Sequence, residues 1–369
     1  MLTSEHSNST GDLPPELAGG TAWTRFWFTP TDVAGLHWLR FLAGVLFIYW
    51  LLPLGGDVDG LFGADGWFSR DAFKETRALR RTEDDPGVAL TTWSVLFACG
   101  ENSTMLHVVY WSAIGIFGLF ALGIATRVTG VLTWVMVGSF LLNPAGSFDA
   151  DFLLVIPALY LMLGYLFLGQ WSRNLTPLER ILGLRGTSVF SLLSARDEPA
   201  PPSYAAGLAI RLLQVHFAFV VVTSVLHKLQ MGAWWSGVAF WYALSPPGTA
   251  REVLESRAMS DSFLVLISFA QYVVLAWQLG FPLFAWRGGL WRIVLLGGAV
   301  VGWIGSAGLF GLPVFGPLYL LCCLSYLTAA EWGRITDVLS SLGGWVQAQV
   351  PERAAKSVKQ PASTHVTRR

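Results

Sequence analysis

Residues 204–244 read YAAGLAIRLLQVHFAFVVVTSVLHKLQMGAWWSGVAFWYAL, an apolar run that ends on His227 and Lys228, with Trp234, Trp235 and Gly237 just beyond it. If the run is helical, His216, Val220, Thr223 and His227 fall on one face at i, i+4, i+7 and i+11. Ser224 and Lys228 share a neighbouring strip. An amine at the mouth of a membrane helix has two readings. It can anchor the helix by reaching headgroup phosphates. Held where water is scarce, it loses its preference for the charged form and becomes a competent general base. Spacing leaves both open. The aromatic cluster of Trp234, Trp235, Trp241 and Tyr242 is equally double. It fits an interfacial belt, and it fits a wall for a flat aromatic ligand, since rings stack favourably. Gly232 and Gly237 bracket it and permit a tight turn. For His216 the expectation is an interhelical hydrogen bond. For Thr223 and Ser224 it is back-bonding to the i−4 carbonyl.

Other polar groups are sparse. Arg40 and Arg211 stand about one turn into apolar runs, where arginines commonly anchor by snorkelling to phosphates. Gln214, three residues after Arg211, would let that pair line a polar interior instead. The turn NPAGSFDADF, residues 143–152, places Asp149 and Asp151 just before another apolar run, and two acids there are expected to be solvated. The segment GLFGADGWFSRDAF, residues 60–73, has the glycines and aromatics of a folded, membrane-hugging loop. Cys99, Cys322 and Cys323 form no CxxC and read as small core residues. The chain carries no metal-ligand signature, nucleophile elbow, dinucleotide fingerprint or nucleic-acid motif.

The elements that must position these groups follow from composition. The chain of 369 residues is 53% hydrophobic and only 13% charged, where soluble domains carry about 25% charged residues. Its formal net charge is zero, so bulk charge implies neither a nucleic-acid nor an acidic partner. The expected fold is an all-α polytopic membrane bundle of about eight spanning helices, near 35–54, 105–124, 128–144, 152–170, 207–227, 262–285, 290–310 and 314–331. Such helices need about 20 apolar residues each. In the seventh run, Gly297, Gly298, Gly302, Gly305 and Gly308 suggest a face packed inside the bundle. No internal repeat is evident.

Lysine and arginine bias in the short loops orients the bundle with both termini inside. Arg25, Arg127, Arg180, Arg287 and Arg334 then fall on the cytoplasmic side, and Lys228 on the opposite one. The basic cluster at 70–81 also falls outside, where Glu75, Glu83, Asp84 and Asp85 accompany it. Residues 1–21 are polar and expected to be disordered, 22–34 suit an interfacial segment, 333–350 an amphipathic surface helix, and 351–369 a disordered basic tail. No signal-peptide pattern precedes the first span.

At these residues the chain resembles a known family. IRLLQVHFAFVVVTSVLHKLQMGAWWSG is similar to the helix-and-loop hallmark of the HTTM family, the horizontally transferred transmembrane proteins related to vitamin K-dependent gamma-carboxylase. WTRFWFTPTDVAGLHWLRFLAGVLFIYW, GLFGADGWFS, NPAGSFDADFLLVIPALYLMLGYLFLG and LGGAVVGWIGSAGLFGLPVFGPLYLL resemble further parts of it in the same order, so the likeness spans roughly 22–332. The resemblance implies an enzyme in which Lys228 is the base toward reduced vitamin K or another quinol. The quinol then reacts with oxygen. In the carboxylases the resulting strong base deprotonates a glutamate side chain, and carbon dioxide adds. His227, Trp234 and Trp235 would shape the cofactor pocket. The partners implied are the bilayer and a secreted peptide or small molecule, in a bacterial plasma membrane. Two positions depart from the carboxylase pattern: GSFDADF stands where those enzymes carry a histidine, and Trp303 where they carry another. The alternative reading is a noncatalytic membrane factor for peptide maturation or export, of the sporulation-delaying type. A transporter is a third.

Overall fold

The computed structural model describes residues 21–67, 71, 75, 94–99, 102–143, 149–169, 176–184, 187, 202–244 and 261–349. The expectations for 1–20, for most of the 70–81 cluster, for 144–148 and for 351–369 lie outside those residues. Among the described residues there is no strand. Among those residues Thr31 and Ser203 form an isolated antiparallel bridge, and the regular elements are helical.

The principal helices are α1 (Val33–Leu51), α2 (Ser103–Leu122), α3 (Thr126–Leu141), α4 (Val155–Phe167), α5 (Tyr204–Leu229), α6 (Asp261–Phe284), α7 (Leu290–Phe310), α8 (Phe315–Leu324) and α9 (Ala329–Gln349). Five of them, α1, α2, α5, α6 and α7, are long and apolar enough to cross a membrane. The other three predicted spans fold as shorter apolar helices, Thr126–Leu141, Asp151–Phe167 and Phe315–Leu324. The eighth predicted span breaks at its carboxyl end. There α8 stops, Ser325 Oγ donates to the Cys322 carbonyl at 2.6 Å, and α9 begins anew behind Thr328.

Local chemistry sets the starts and stops. Asp32 accepts from the Ala34 N–H at 2.9 Å, and Asn102 accepts from the Met105 N–H at 3.1 Å, capping α1 and α2. Caps of this kind are worth about 1 kcal/mol each. Gly123, at φ 84°, closes α2 in the left-handed conformation, which a side chain would disfavour.

α1 is the central helix, with Leu36, Leu39, Ala43, Phe47 and Trp50 all buried. A Cβ on Gly44 would stand 2.6 Å from that of Ala121, so the bare glycine sets the close approach of α1 and α2. Gly164 does the same for α4 against Ala209 of α5. α6 and α7 are the least covered of the long helices, with Val265 68%, Leu283 70%, Ile293 68% and Ile304 68% exposed. The glycine face predicted to pack inward on α7 does not do so. A Cβ on Gly297, Gly302, Gly305 or Gly308 would meet nothing within 4 Å, and only Gly298 packs, beneath Trp277. Small residues permit close approach without commanding it, and here Trp277 and Trp303 fill the α6 and α8 contacts.

The two ends of the bundle differ. Thr31 and Ser203 exchange backbone hydrogen bonds of 3.2 and 2.9 Å, so α1 and α5 start at the same end. α9 docks at that end, with Trp332 stacked on Trp38 at 6.3 Å and Thr336 accepting from Trp38 Nε1 at 3.1 Å. A helix thus spans Ala329–Gln349, starting four residues before the 333–350 segment, and its first turns are tied to the core. Lys228 lies at the opposite end.

Candidate functional site

In a helix each side chain leans toward its own amino terminus. α5 and α6 run antiparallel, so Lys228, in the last turn of α5, leans down into the bundle. Gln278, near the end of α6, leans up to meet it. Lys228 Nζ donates to Gln278 Oε1 at 2.8 Å and lies 5.0 Å from the centre of the Trp234 ring. Gln278 is 4% exposed and its side chain also engages Tyr319 of α8. Among the described residues no carboxylate stands within ion-pair reach of Lys228. The amine thus has a neutral amide and an aromatic face for company, and it turns away from the helix mouth. An amine serving headgroup phosphates would turn outward.

The turn after α5 is pinned to α6 by polar side chains. Trp235 Nε1 donates to the Leu229 carbonyl at 2.7 Å, satisfying the end of the helix. Gln271, fully buried, accepts from the Ala239 N–H at 3.0 Å and donates to the Trp234 carbonyl at 2.8 Å. Ser268 donates to the Gly237 carbonyl at 2.8 Å, and Tyr272 to that of Trp235 at 2.6 Å. Gly237 takes φ 81°, which lets the chain reverse against Ser268. Phe240 then packs edge-on to both Trp234 and Phe310, at 5.5 and 5.2 Å.

Lys228 and Trp234 are therefore brought together, whereas His227 and Trp235 are exposed, the latter at 64%. His216 accepts or donates a 2.9 Å hydrogen bond with the Tyr160 hydroxyl of α4, the interhelical role expected of it. Thr223 donates to the Phe219 carbonyl at 2.8 Å, again as expected. Sequence reasoning missed Gln271 and Gln278. Their signal was legible: with Ser268 they recur at i, i+3 and i+10 on one face of an otherwise apolar helix. No family model, curated protein or solved structure matches this chain.

The remaining polar residues divide differently from expectation. Arg40 is not an anchor at the surface but fully buried, donating to the Tyr165 hydroxyl at 3.2 Å and the Ala121 carbonyl at 3.3 Å. Tyr165 also shares a 2.5 Å hydrogen bond with His37. The helix α2 ends within reach of Arg40, and its Ala121 carbonyl takes a donor that a phosphate would have taken. Arg127, placed in a loop by sequence, is buried too and donates to the Leu168 and Glu179 carbonyls, both at 2.7 Å. Arg211, half-buried, stacks 4.7 Å over Phe26 and donates to the buried Gln214 at 3.3 Å, so the two residues do pair. Asp151 is buried at 9% exposure, where solvation was expected, and the Asp149 side chain lies outside the described set.

At the end of the bundle that carries Lys228, a cavity of about 430 Å³ opens between the last turn of α1, the turn before α4 and the α7–α8 connection. Tyr49, Trp50, Pro53, Asp151, Pro313 and Phe315 are among its walls. Lys228, His227, Trp234 and Trp235 do not line it.

Proposed function

We propose that this chain is a polytopic membrane enzyme of the HTTM type, in which Lys228 is the general base for a lipophilic, ring-bearing hydroxyl compound such as a quinol. The observation that carries the reading is the inward-turned Lys228 amine, bonded to the neutral Gln278 amide beside the Trp234 ring. A base needs a lone pair within reach of the proton it takes and no fixed carboxylate to hold it as ammonium. The donor set suits the group. The amine meets a hydroxyl, the Gln278 amide orients it, and the Trp234 face, next to apolar bundle surface, accepts a ring. When bound, a reduced quinone with oxygen would supply the redox chemistry. The protein's own residues position the hydroxyl and take its proton on Nζ.

In this reading all eight apolar helices cross the membrane, with both termini cytoplasmic and Lys228 on the extracytoplasmic side of a bacterial plasma membrane. The docking of α9 beside the start of α1, at the end opposite Lys228, supports an even number of crossings. The substrate is a secreted peptide or a small molecule.

The second reading, a noncatalytic factor for peptide maturation or export, draws on the same contact, since Lys228 bonded to Gln278 also ties α5 to α6. Lys228→Arg separates the two. Guanidinium still donates to Gln278 but stays protonated. In quinol-containing nanodiscs, oxygen uptake by the arginine variant should fall at least 100-fold, within the span of about 10²–10⁴ that general bases contribute. Unchanged uptake, or none in the wild type across reduced quinones of differing tail length, would sink the enzymatic reading.

A further inference from the structure

A free amine is a nucleophile as well as a base, and the surroundings of Lys228 suit attack on carbon. Such attack needs a lone pair that no carboxylate holds as ammonium, and room beside it for the skeleton of the electrophile. Among the described residues no carboxylate stands within ion-pair reach of Lys228. Its hydrogen bond runs from Nζ to Gln278 Oε1 at 2.8 Å. Gln278 is itself held: it is buried and engages Tyr319, whose ring packs 4.8 Å from both Phe217 and Phe315. One N–H of the amine is therefore committed to a fixed amide, which leaves the lone pair of the neutral form to point elsewhere.

The space beside the amine is bordered by rings. Lys228 Nζ lies 5.0 Å from the centre of the Trp234 ring, Phe240 meets Trp234 at 5.5 Å, and Phe310 of α7 meets Phe240 at 5.2 Å. The rings come from the turn after α5, the short helix Ala239–Leu244 and the end of α7, so they lead away from the amine as one apolar border. Gln271 holds that border in place through the Ala239 N–H and the Trp234 carbonyl. Lys228, Trp234, Phe240 and Phe310 are all half-buried, neither sealed in the core nor free in solvent. Flat conjugated groups pack well on such faces. We infer that Lys228 captures a lipophilic conjugated aldehyde as a covalent imine. The Nζ lone pair adds to the carbonyl carbon as the C=O π pair moves to oxygen. A proton passes from nitrogen to that oxygen, giving a carbinolamine. The nitrogen lone pair then forms the C=N bond, the hydroxide leaves, and it takes the remaining N–H proton as water. No oxidant or reductant is needed, and neither quinol nor oxygen takes part.

The chain has four lysines, Lys74, Lys228, Lys356 and Lys359, so the wild type carries its own references. The full chain in nanodiscs is treated with cinnamaldehyde and cyanoborohydride, which reduces an imine to a stable secondary amine, and the modified lysines are read by peptide mass spectrometry. Lys228 should be labelled at least tenfold faster than each of the other three. Trp234→Ala should slow labelling of Lys228 by cinnamaldehyde severalfold and leave labelling by acetaldehyde, which has no ring to pack, unchanged. Labelling of Lys228 no faster than that of the other lysines overturns the inference without recourse to any variant, and so does an equal effect of the Trp234 change on both aldehydes. Oxygen uptake with a reduced quinone, measured on the same samples, keeps the two roles of the amine apart. Selective labelling without oxygen uptake upholds the imine and removes the quinol base, and oxygen uptake without selective labelling does the reverse.

Discussion

Lys228 and Gln278 form the decisive pair at the scale of single residues. Their 2.8 Å hydrogen bond joins two helices where neither side chain has a charged partner among the described residues. Leaving one half of such a pair unsatisfied costs about 1–3 kcal/mol, whereas replacing both halves by apolar groups can be nearly neutral. Gln278→Leu should therefore lower thermal stability more than the Lys228→Met, Gln278→Leu double variant does. Unfolding in detergent, read as a double-mutant cycle, measures the coupling; additive effects would mean that the pair is not formed. Lys228 was found in the sequence because ionisable residues are rare in apolar runs. Gln278 is less legible in the sequence, because a neutral amide in an apolar run gains meaning only from what touches it. The resemblance implies pocket roles for His227 and Trp235 as well, and both side chains are exposed.

Glycine and capping decide the outcome at the scale of elements. A Cβ on Gly298 would fall 2.0 Å from Trp277 Nε1, whereas one on Gly302 would meet nothing. Gly298→Ala should force α7 from α6 and lower the melting temperature. Gly302→Ala should raise it slightly, since alanine is favoured over glycine in a helix by up to about 1 kcal/mol. Equal effects would contradict the observed packing. α9 carries a different kind of fastening. Arg292 lies 3.1 Å from Glu331, whose carboxylate also accepts from the Thr328 N–H at 2.7 Å and hydroxyl at 2.9 Å. Partial burial opposes ionisation of Glu331, but the Thr328 bonds and the Arg292 guanidinium outweigh it and hold the carboxyl below its ordinary value of 4.5. A carboxyl lowered in the folded state adds stability above its unfolded pKa, and that stability is lost as pH falls through the folded value. The melting-temperature gap between wild type and Glu331→Gln should be open at pH 7 and close progressively below pH 4.5. A gap that persists at pH 3 would assign the effect to packing.

The whole molecule has two unlike ends. One gathers the Thr31–Ser203 bridge and α9, and the other gathers Lys228, the pinned 232–244 turn and the ring-lined cavity. The proposed orientation places these ends on opposite sides of the membrane. Single cysteines at Asp65 and Asp337, introduced into a chain with Cys99, Cys322 and Cys323 replaced by alanine, should label oppositely. An impermeant maleimide added to intact cells should reach position 65 and spare position 337 until the cells are opened. Labelling of both from outside would overturn the even-crossing topology.

The apolar runs by themselves determined that the chain is helical and where the helices lie, because helix formation along such runs is local and the pattern of breaks is written in glycine, proline and capping residues. They also brought Lys228 forward as an unusual amine. Which way that amine points was decided only by tertiary structure, through the antiparallel pairing of α5 with α6. So was the burial of Arg40, whose reach toward the surface is intercepted by Tyr165 and the end of α2. The outward-facing glycines of α7 and the cavity beside Asp151 belong to the same class. Each depends on which distant segments converge, and no single run of residues contains that information.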